Sequence, residues 1–152
     1  MTTICTNGKV IAADTKVIYY GVVPGKTAKI DKINPHTILA AAGDTVAAWR
    51  ARNFFSEDDW LLRDPLELKD YEFEALLWYK GRIFILVGST VPHLLGESVF
   101  AIGSGGQYAR AGLELGLTPE DAIKLASKLD VNTNGEVEVV RLPKYHEAKP
   151  GS

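Results

Sequence analysis

Thr2 is the residue of this chain with the most chemistry open to it. It follows Met1, and a small second residue normally lets the initiator methionine be removed, leaving a threonine with a free α-amine. Hydroxyl and amine on one residue supply a nucleophile and its base together, one of the few ways to activate a weak hydroxyl. A free α-amine titrates at about 7.7–8.0, so a fair share is neutral near pH 7 and can take up the hydroxyl proton without a histidine. The start Met1-Thr2-Thr3 is common, however, and a β-branched strand residue is its ordinary meaning. Other chemistry-bearing residues point elsewhere or nowhere. His36, His93 and His146 have no metal-ligand spacing, so no metal is expected. Gly103-Ser104-Gly105-Gly106 could cradle an anion before a helix, but it lacks the lysine and spacing of a phosphate loop and does not match GxGxxG. Glu57-Asp58-Asp59 reads as a solvated helix end, and Cys5 as a small apolar filler of the first strand. Trp49, Trp60 and Trp78 read as core or subunit contacts.

The elements that must position Thr2 are mostly strands. Thr2–Thr6 and Lys9–Ala13 flank Asn7-Gly8, a strong hairpin signal. Val17–Val23 is a strand ended by Pro24-Gly25, Ala28–Ile33 alternates as another, and Thr37–Ala42 is a small-residue strand ending at Gly43. The period then changes, and Asp44–Phe55 reads as a helix. Ser56–Asp70 is acidic and irregular, with a helical turn near Trp60–Arg63. Glu74–Tyr79 and Arg82–Val87 flank Lys80-Gly81 as a second hairpin, and Thr90–Leu95 is a poorer strand broken by Pro92. Ser98–Ile102 runs as a strand into the glycine-rich loop, followed by a helix over Gln107–Leu115. Thr118-Pro119-Glu120-Asp121 opens a further helix to Lys128, with a cap, a first-turn proline and acids at the positive dipole end. After the Asn134-Gly135 turn, Glu136–Leu142 alternates as a half-buried strand. Antiparallel hairpins with helices outside them give an α+β class.

At 152 residues the chain reads as one domain over 1–143 with a polar tail over 144–152, long enough to bury roughly 68–70% of its unfolded surface. A net charge of −2 gives no basic footprint, which argues against a nucleic-acid partner. One cysteine excludes an internal disulfide and suits a reducing compartment. No secretory signal precedes Thr2, and no run approaches ~18 apolar residues, so no membrane association is expected and the location expected is cytoplasmic.

Taken in order, Thr2-Thr3-Ile4, Val10-Ile11-Ala12-Ala13-Asp14, Ala28-Lys29-Ile30, Ala41-Ala42-Gly43, Ile102-Gly103-Ser104-Gly105-Gly106-Gln107-Tyr108-Ala109 and the Asp130–Gly135 turn resemble the proteasome β-subunit family and its HslV-like branch. The Gly-Ser-Gly-Gly-x-Tyr-Ala segment is the most specific piece. The resemblance implies a four-layer αββα sandwich of the N-terminal nucleophile (Ntn) hydrolase type. It implies a threonine-type endopeptidase within a homo-oligomeric ring, needing no cofactor. Polypeptide substrate would come from a separate ATP-driven unfoldase, since the chain has no Walker motif. Two other outcomes stay open: a catalytically silent subunit serving assembly or binding, and an Ntn amidohydrolase acting on small amides. The sequence departs from the family twice, in a short middle region containing Pro65 where a long second helix is usual, and in Asp44 where a second small residue is common. That aspartate would stand close to the substrate groove.

By the same resemblance Thr2 is the nucleophile, and Lys29, rather than Lys26 or Lys32, is the cation that keeps its amine neutral. A buried lysine needs a counter-ion, for which Asp14 is the candidate. Gly43 would offer its N–H to the oxyanion. Ser104 would orient the amine, and Asp130 with Thr133 would hold amine and hydroxyl from the other side, Thr133 standing where a serine is more usual. For substrate binding, Ala41 and Thr45 flank Gly43, while Val17, Thr27 and Asp31 would line the first pocket. Small walls of that kind favour a sizeable apolar side chain.

Overall fold

The computed structural model describes residues 2–19, 22–26, 29–131, 133 and 136–145, with the backbone alone at 16–19 and 22–26. It opens with the hairpin that Asn7-Gly8 signals. β1 (Thr3–Thr6) and β2 (Val10–Asp14) are joined by a turn in which Asn7 Oδ1 accepts from the N–H of Lys9 and of Val10, each at 3.0 Å. β3 (Lys16–Tyr19) and β4 (Val22–Lys26) form a separate two-stranded ribbon. β5 (Ile30–Asn34) and β6 (Thr37–Gly43) follow, then α1 (Thr45–Ser56), β7 (Phe73–Tyr79), β8 (Arg82–Val87) and the two-residue β9 (His93–Leu94). β10 (Phe100–Gly103), α2 (Gly106–Glu114), α3 (Pro119–Leu129) and β11 (Val137–Arg141) complete the fold. One antiparallel sheet has the order β10-β1-β2-β11 and the other β5-β6-β7-β8-β9.

The two-residue period of the strands builds the layers. In β1 and β2, Ile4, Ile11 and Ala13 face the second sheet, where Ile38, Ala40, Ala42, Leu76 and Trp78 meet them in one cluster. The alternate residues Cys5 and Ala12 face outward onto Ala109 and Leu113 of α2 and Ala122, Ile123 and Ala126 of α3. On the other side Leu39, Ala75 and Leu77 pack on Ala47, Ala51, Phe54 and Phe55 of α1 and on Trp60. Three apolar layers thus separate four layers of secondary structure, helix-sheet-sheet-helix. Asp44 caps α1, its Oδ1 accepting from Val46 N (2.8 Å) and Ala47 N (3.1 Å), and Thr118 caps α3 by accepting from Asp121 N.

The structure differs from expectation in three places. Val17–Val23 is divided between β3 and β4, and Pro24-Gly25 lie inside β4 and do not end a strand, because a two-stranded ribbon has open edges where a missing N–H costs nothing. Thr90–Leu95 shrinks to the β9 pair, whereas the middle region is irregular as expected, with its helical turn a 3-10 turn at Trp60–Leu62 and a bridge from Glu67 to Ser89. The tail is described only as far as Tyr145, whose ring packs against the inter-sheet cluster. The Asn134-Gly135 turn and His146 lie outside the described residues. No helix among the described residues is long and apolar enough to cross a membrane.

Candidate active site

Thr2 sits one residue before β1 and is 7% exposed. The peptide joining it to Thr3 is held at both polar atoms. Ser104 N–H donates to the Thr2 carbonyl at 3.1 Å, and Thr3 N–H donates to Asp14 Oδ1 at 2.9 Å. This double grip follows from β1 lying between β2, which carries Asp14 at its end, and β10, which runs into Ser104. Gly103 makes the approach possible: it has φ +91°, and a Cβ there would lie 1.5 Å from the Thr2 carbonyl oxygen.

Lys29 reaches the same carboxylate oxygen, with Nζ 3.0 Å from Asp14 Oδ1, and the pair is almost wholly buried at 7% and 0% side-chain exposure. One oxygen therefore ties the Lys29 ammonium to the Thr2–Thr3 peptide. Burial lowers the Lys29 pKa from its ordinary 10.5, opposed first by the charge and hydrogen bond of Asp14 and then by the charge of Glu138. Glu138 does more than add charge. From β11 its Oε1 crosses to the second sheet and accepts from Lys29 N (3.0 Å) and Ile30 N (2.8 Å), fixing the backbone that carries the lysine.

A lysine with a lowered folded pKa binds its proton more weakly folded than unfolded. Its contribution to stability therefore rises with pH between that lowered value and 10.5 and is flat below it. Glu138→Gln keeps an oxygen for both N–H groups and removes the charge. NMR titration of the Lys29 side chain is expected to show a midpoint further below 10.5 in this variant. An unmoved midpoint would mean that the Glu138 charge is not felt.

The opposite flank is a hydroxyl network. Asp130 Oδ2 accepts from Ser104 Oγ (2.6 Å) and Thr133 Oγ1 (2.7 Å). Thr133 Oγ1 meets Thr3 Oγ1 at 2.8 Å, and Thr3 Oγ1 accepts from Gly105 N at 2.9 Å. In front of Thr2 lies a cleft of about 150 Å³ lined also by Ala42, Gly43, Glu72, Glu74 and Gly103. Gly43 has φ +107°, and a Cβ there would stand 2.0 Å from the Glu72 carbonyl oxygen. The arrangement can present one buried hydroxyl to a bound carbonyl beside an ordered backbone. Cys5 is no competitor: buried, with Sγ 3.4 Å from the Pro119 carbonyl oxygen, its thiol is pushed up to about 12. Among the described residues no three His, Cys, Asp or Glu side chains come together to hold a metal.

No family model and no curated protein matches the sequence. Solved structures do match. Eukaryotic HslV from Trypanosoma brucei superposes with a TM-score of 0.69 at 22% identity, covering 91% of this chain and 99% of that one. Thiobacillus denitrificans BPH in complex with epoxomicin gives 0.71 at 18% identity over 95% and 100%. A second Thiobacillus denitrificans BPH structure gives 0.69 at 17% over 93% and 98%. This chain has the proteasome β/HslV-like Ntn fold.

Within that fold, the seven residues expected to do chemistry fall into two bonded groups and a cleft. Asp14 and Lys29 form one group beneath the Thr2–Thr3 peptide, Ser104, Asp130 and Thr133 the other, and Gly43 shares the cleft with Thr2. The hydroxyl network differs from expectation: the Ser104 hydroxyl bonds Asp130 and Thr133 bonds Asp130 and the Thr3 hydroxyl, so among the described residues these side chains reach Thr3 and not Thr2, and no sequence signal singled out Thr3 beyond its place beside Thr2. The expected substrate residues fare differently. Val17 has no described side chain and Thr27 lies outside the described residues. Asp31 pairs with Arg52 of α1 at 2.9 Å, on the helix side of the second sheet. Ala41 packs in the α1 cluster, and Thr45 is an exposed first residue of α1. Ala42 lines the cleft in place of Ala41, because neighbours on a strand face opposite ways. Asp44 is taken up as the α1 cap and does not project as a free acid into the groove. Glu138, Glu72 and Glu74 were missed, since alternating acids on a strand read as a solvent face.

Proposed function

We propose that this chain is a threonine-type endopeptidase whose nucleophile is Thr2, exposed as an α-amine by removal of Met1. The observation that carries it is the double grip on the Thr2–Thr3 peptide, with Lys29 behind the gripping carboxylate and Gly43 across the cleft. Thr2 Oγ attacks the peptide carbonyl while the α-amine accepts its proton. The positive charge of Lys29 disfavours the ammonium form of that amine and so keeps the base available. Gly43 N–H stabilises the oxyanion, a donor commonly worth about 3–4 kcal/mol. The amine returns its proton to the leaving nitrogen, and water then cleaves the ester with the amine again as base. Ser104, Asp130 and Thr133 hold the backbone in place and need not titrate. No cofactor enters these steps. The likeness in fold further supports a homo-oligomeric ring, cytoplasmic work on unfolded polypeptides, and delivery by a separate ATP-driven unfoldase.

Epoxomicin, found in complex with Thiobacillus denitrificans BPH, is the probe. Incubation followed by intact-mass and peptide mapping should give one adduct per chain on Thr2, in protein lacking Met1, and none in Thr2→Ala. A chain that keeps Met1 and takes no adduct is a silent subunit. Turnover of acylated amino acids without cleavage of peptides would make it an amidohydrolase.

A further inference from the structure

The cleft beside Thr2 carries a charge that the steps above do not use. The β7 pleat sends Leu76 and Trp78 into the inter-sheet cluster, so Glu74 stands on that same face, in register with Ala42 of β6. Glu72 borders the cleft two residues earlier. Both glutamates are exposed, and neither has an ion-pair partner among the described residues. Among the described residues no lysine, arginine or histidine lines the cleft, and the Lys29 ammonium is bonded to Asp14. Thr2 is more than nine-tenths buried at the cleft wall, and its hydroxyl forms no hydrogen bond within the described residues. At about 150 Å³ the cleft is well below the ~300–1,000 Å³ of a drug-sized site, so it has room for one side chain.

We propose that Glu72 and Glu74 make this cleft a cation-selecting subsite, so that the peptide residue seated beside Thr2 is a lysine or arginine. The proposal rests on the peptidase reading and names its substrate class. A basic side chain suits such a place physically, since it lays an apolar stem along the Ala42 methyl group and keeps its charged head at the wet rim. There two unpaired carboxylates meet it. Each exposed charge pair contributes little, so selectivity of roughly five- to tenfold is the scale for two of them, and it weakens as salt is added.

The test reads binding and not hydrolysis. Three fluorescent pentapeptides, identical but for a central Arg, Leu or Glu, are titrated by anisotropy into the full chain carrying Thr2→Ala. The Arg peptide should bind about five- to tenfold tighter than the Leu peptide, with the Glu peptide weakest. That ratio should fall towards one when Glu72→Gln and Glu74→Gln are added. Both positions are exposed, so the variant should keep its unfolding midpoint. Equal binding of the three peptides, no binding of any, or a preference that survives the double substitution overturns the proposal. A parent chain that selects the Arg peptide yet cleaves none instead overturns the peptidase reading and leaves the subsite standing.

Discussion

Asp14→Ala is expected to lose about 3–5 kcal/mol of stability, the usual consequence of stripping one partner from a buried ion pair. Asp14 is fully buried, and its Oδ1 serves both the Lys29 ammonium and the Thr3 N–H. Without it the ammonium is left in a site with 7% side-chain exposure, and a buried N–H loses its acceptor. Asp14→Asn separates the two losses, because its amide oxygen can still take the Thr3 N–H while the charge is gone. Its destabilisation should be intermediate. Asp31→Ala is the control: the Asp31–Arg52 pair is half exposed, and breaking it should cost about 0–1 kcal/mol. Urea unfolding of the three variants checks this. Equal losses at positions 14 and 31 would mean that the buried pair does not hold the start of β1.

Gly103→Ala is expected to be the most damaging methyl group added at any described glycine, at about 4 kcal/mol or more, or else to drive Thr2 out of its place. Two costs add. The backbone at φ +91° strains any side chain by roughly 1–3 kcal/mol, and the added Cβ would sit 1.5 Å from the Thr2 carbonyl oxygen, on the backbone that receives Ser104 N–H. Gly116→Ala isolates the first cost, since Gly116 has φ +96° and nothing within 4 Å of its added Cβ. If Gly103→Ala yields by releasing Thr2, stability is partly kept but epoxomicin labelling at Thr2 is lost. Should Gly103→Ala match Gly116→Ala in both stability and labelling, the close approach of β10 to Thr2 is not what positions Thr2.

Much of the fold was legible because its signals are local. Asn7-Gly8 and Lys80-Gly81 sit between alternating strands, and Thr118-Pro119 starts a helix through its own hydroxyl. Pro24-Gly25 misled because a proline's effect depends on which edge its missing N–H faces, and that depends on a neighbouring strand. The chemistry-bearing residues were nameable through their types and their family likeness. Their contacts were less so: Thr133 meets Thr3 across 130 positions, and Lys29 N meets Glu138 across 109.

The sequence by itself determined the alternation that makes four layers, the caps and turns that end the elements, and a threonine poised ahead of the first strand. Only the tertiary structure decided that Ala42 and not Ala41 walls the cleft, that Asp44 is a helix cap, and that Glu138 holds the Lys29 backbone while Glu72 and Glu74 border the cleft. The reason is strand geometry. A one-residue change of register reverses the face of every side chain, and register is fixed by partners far along the chain, which no local pattern contains.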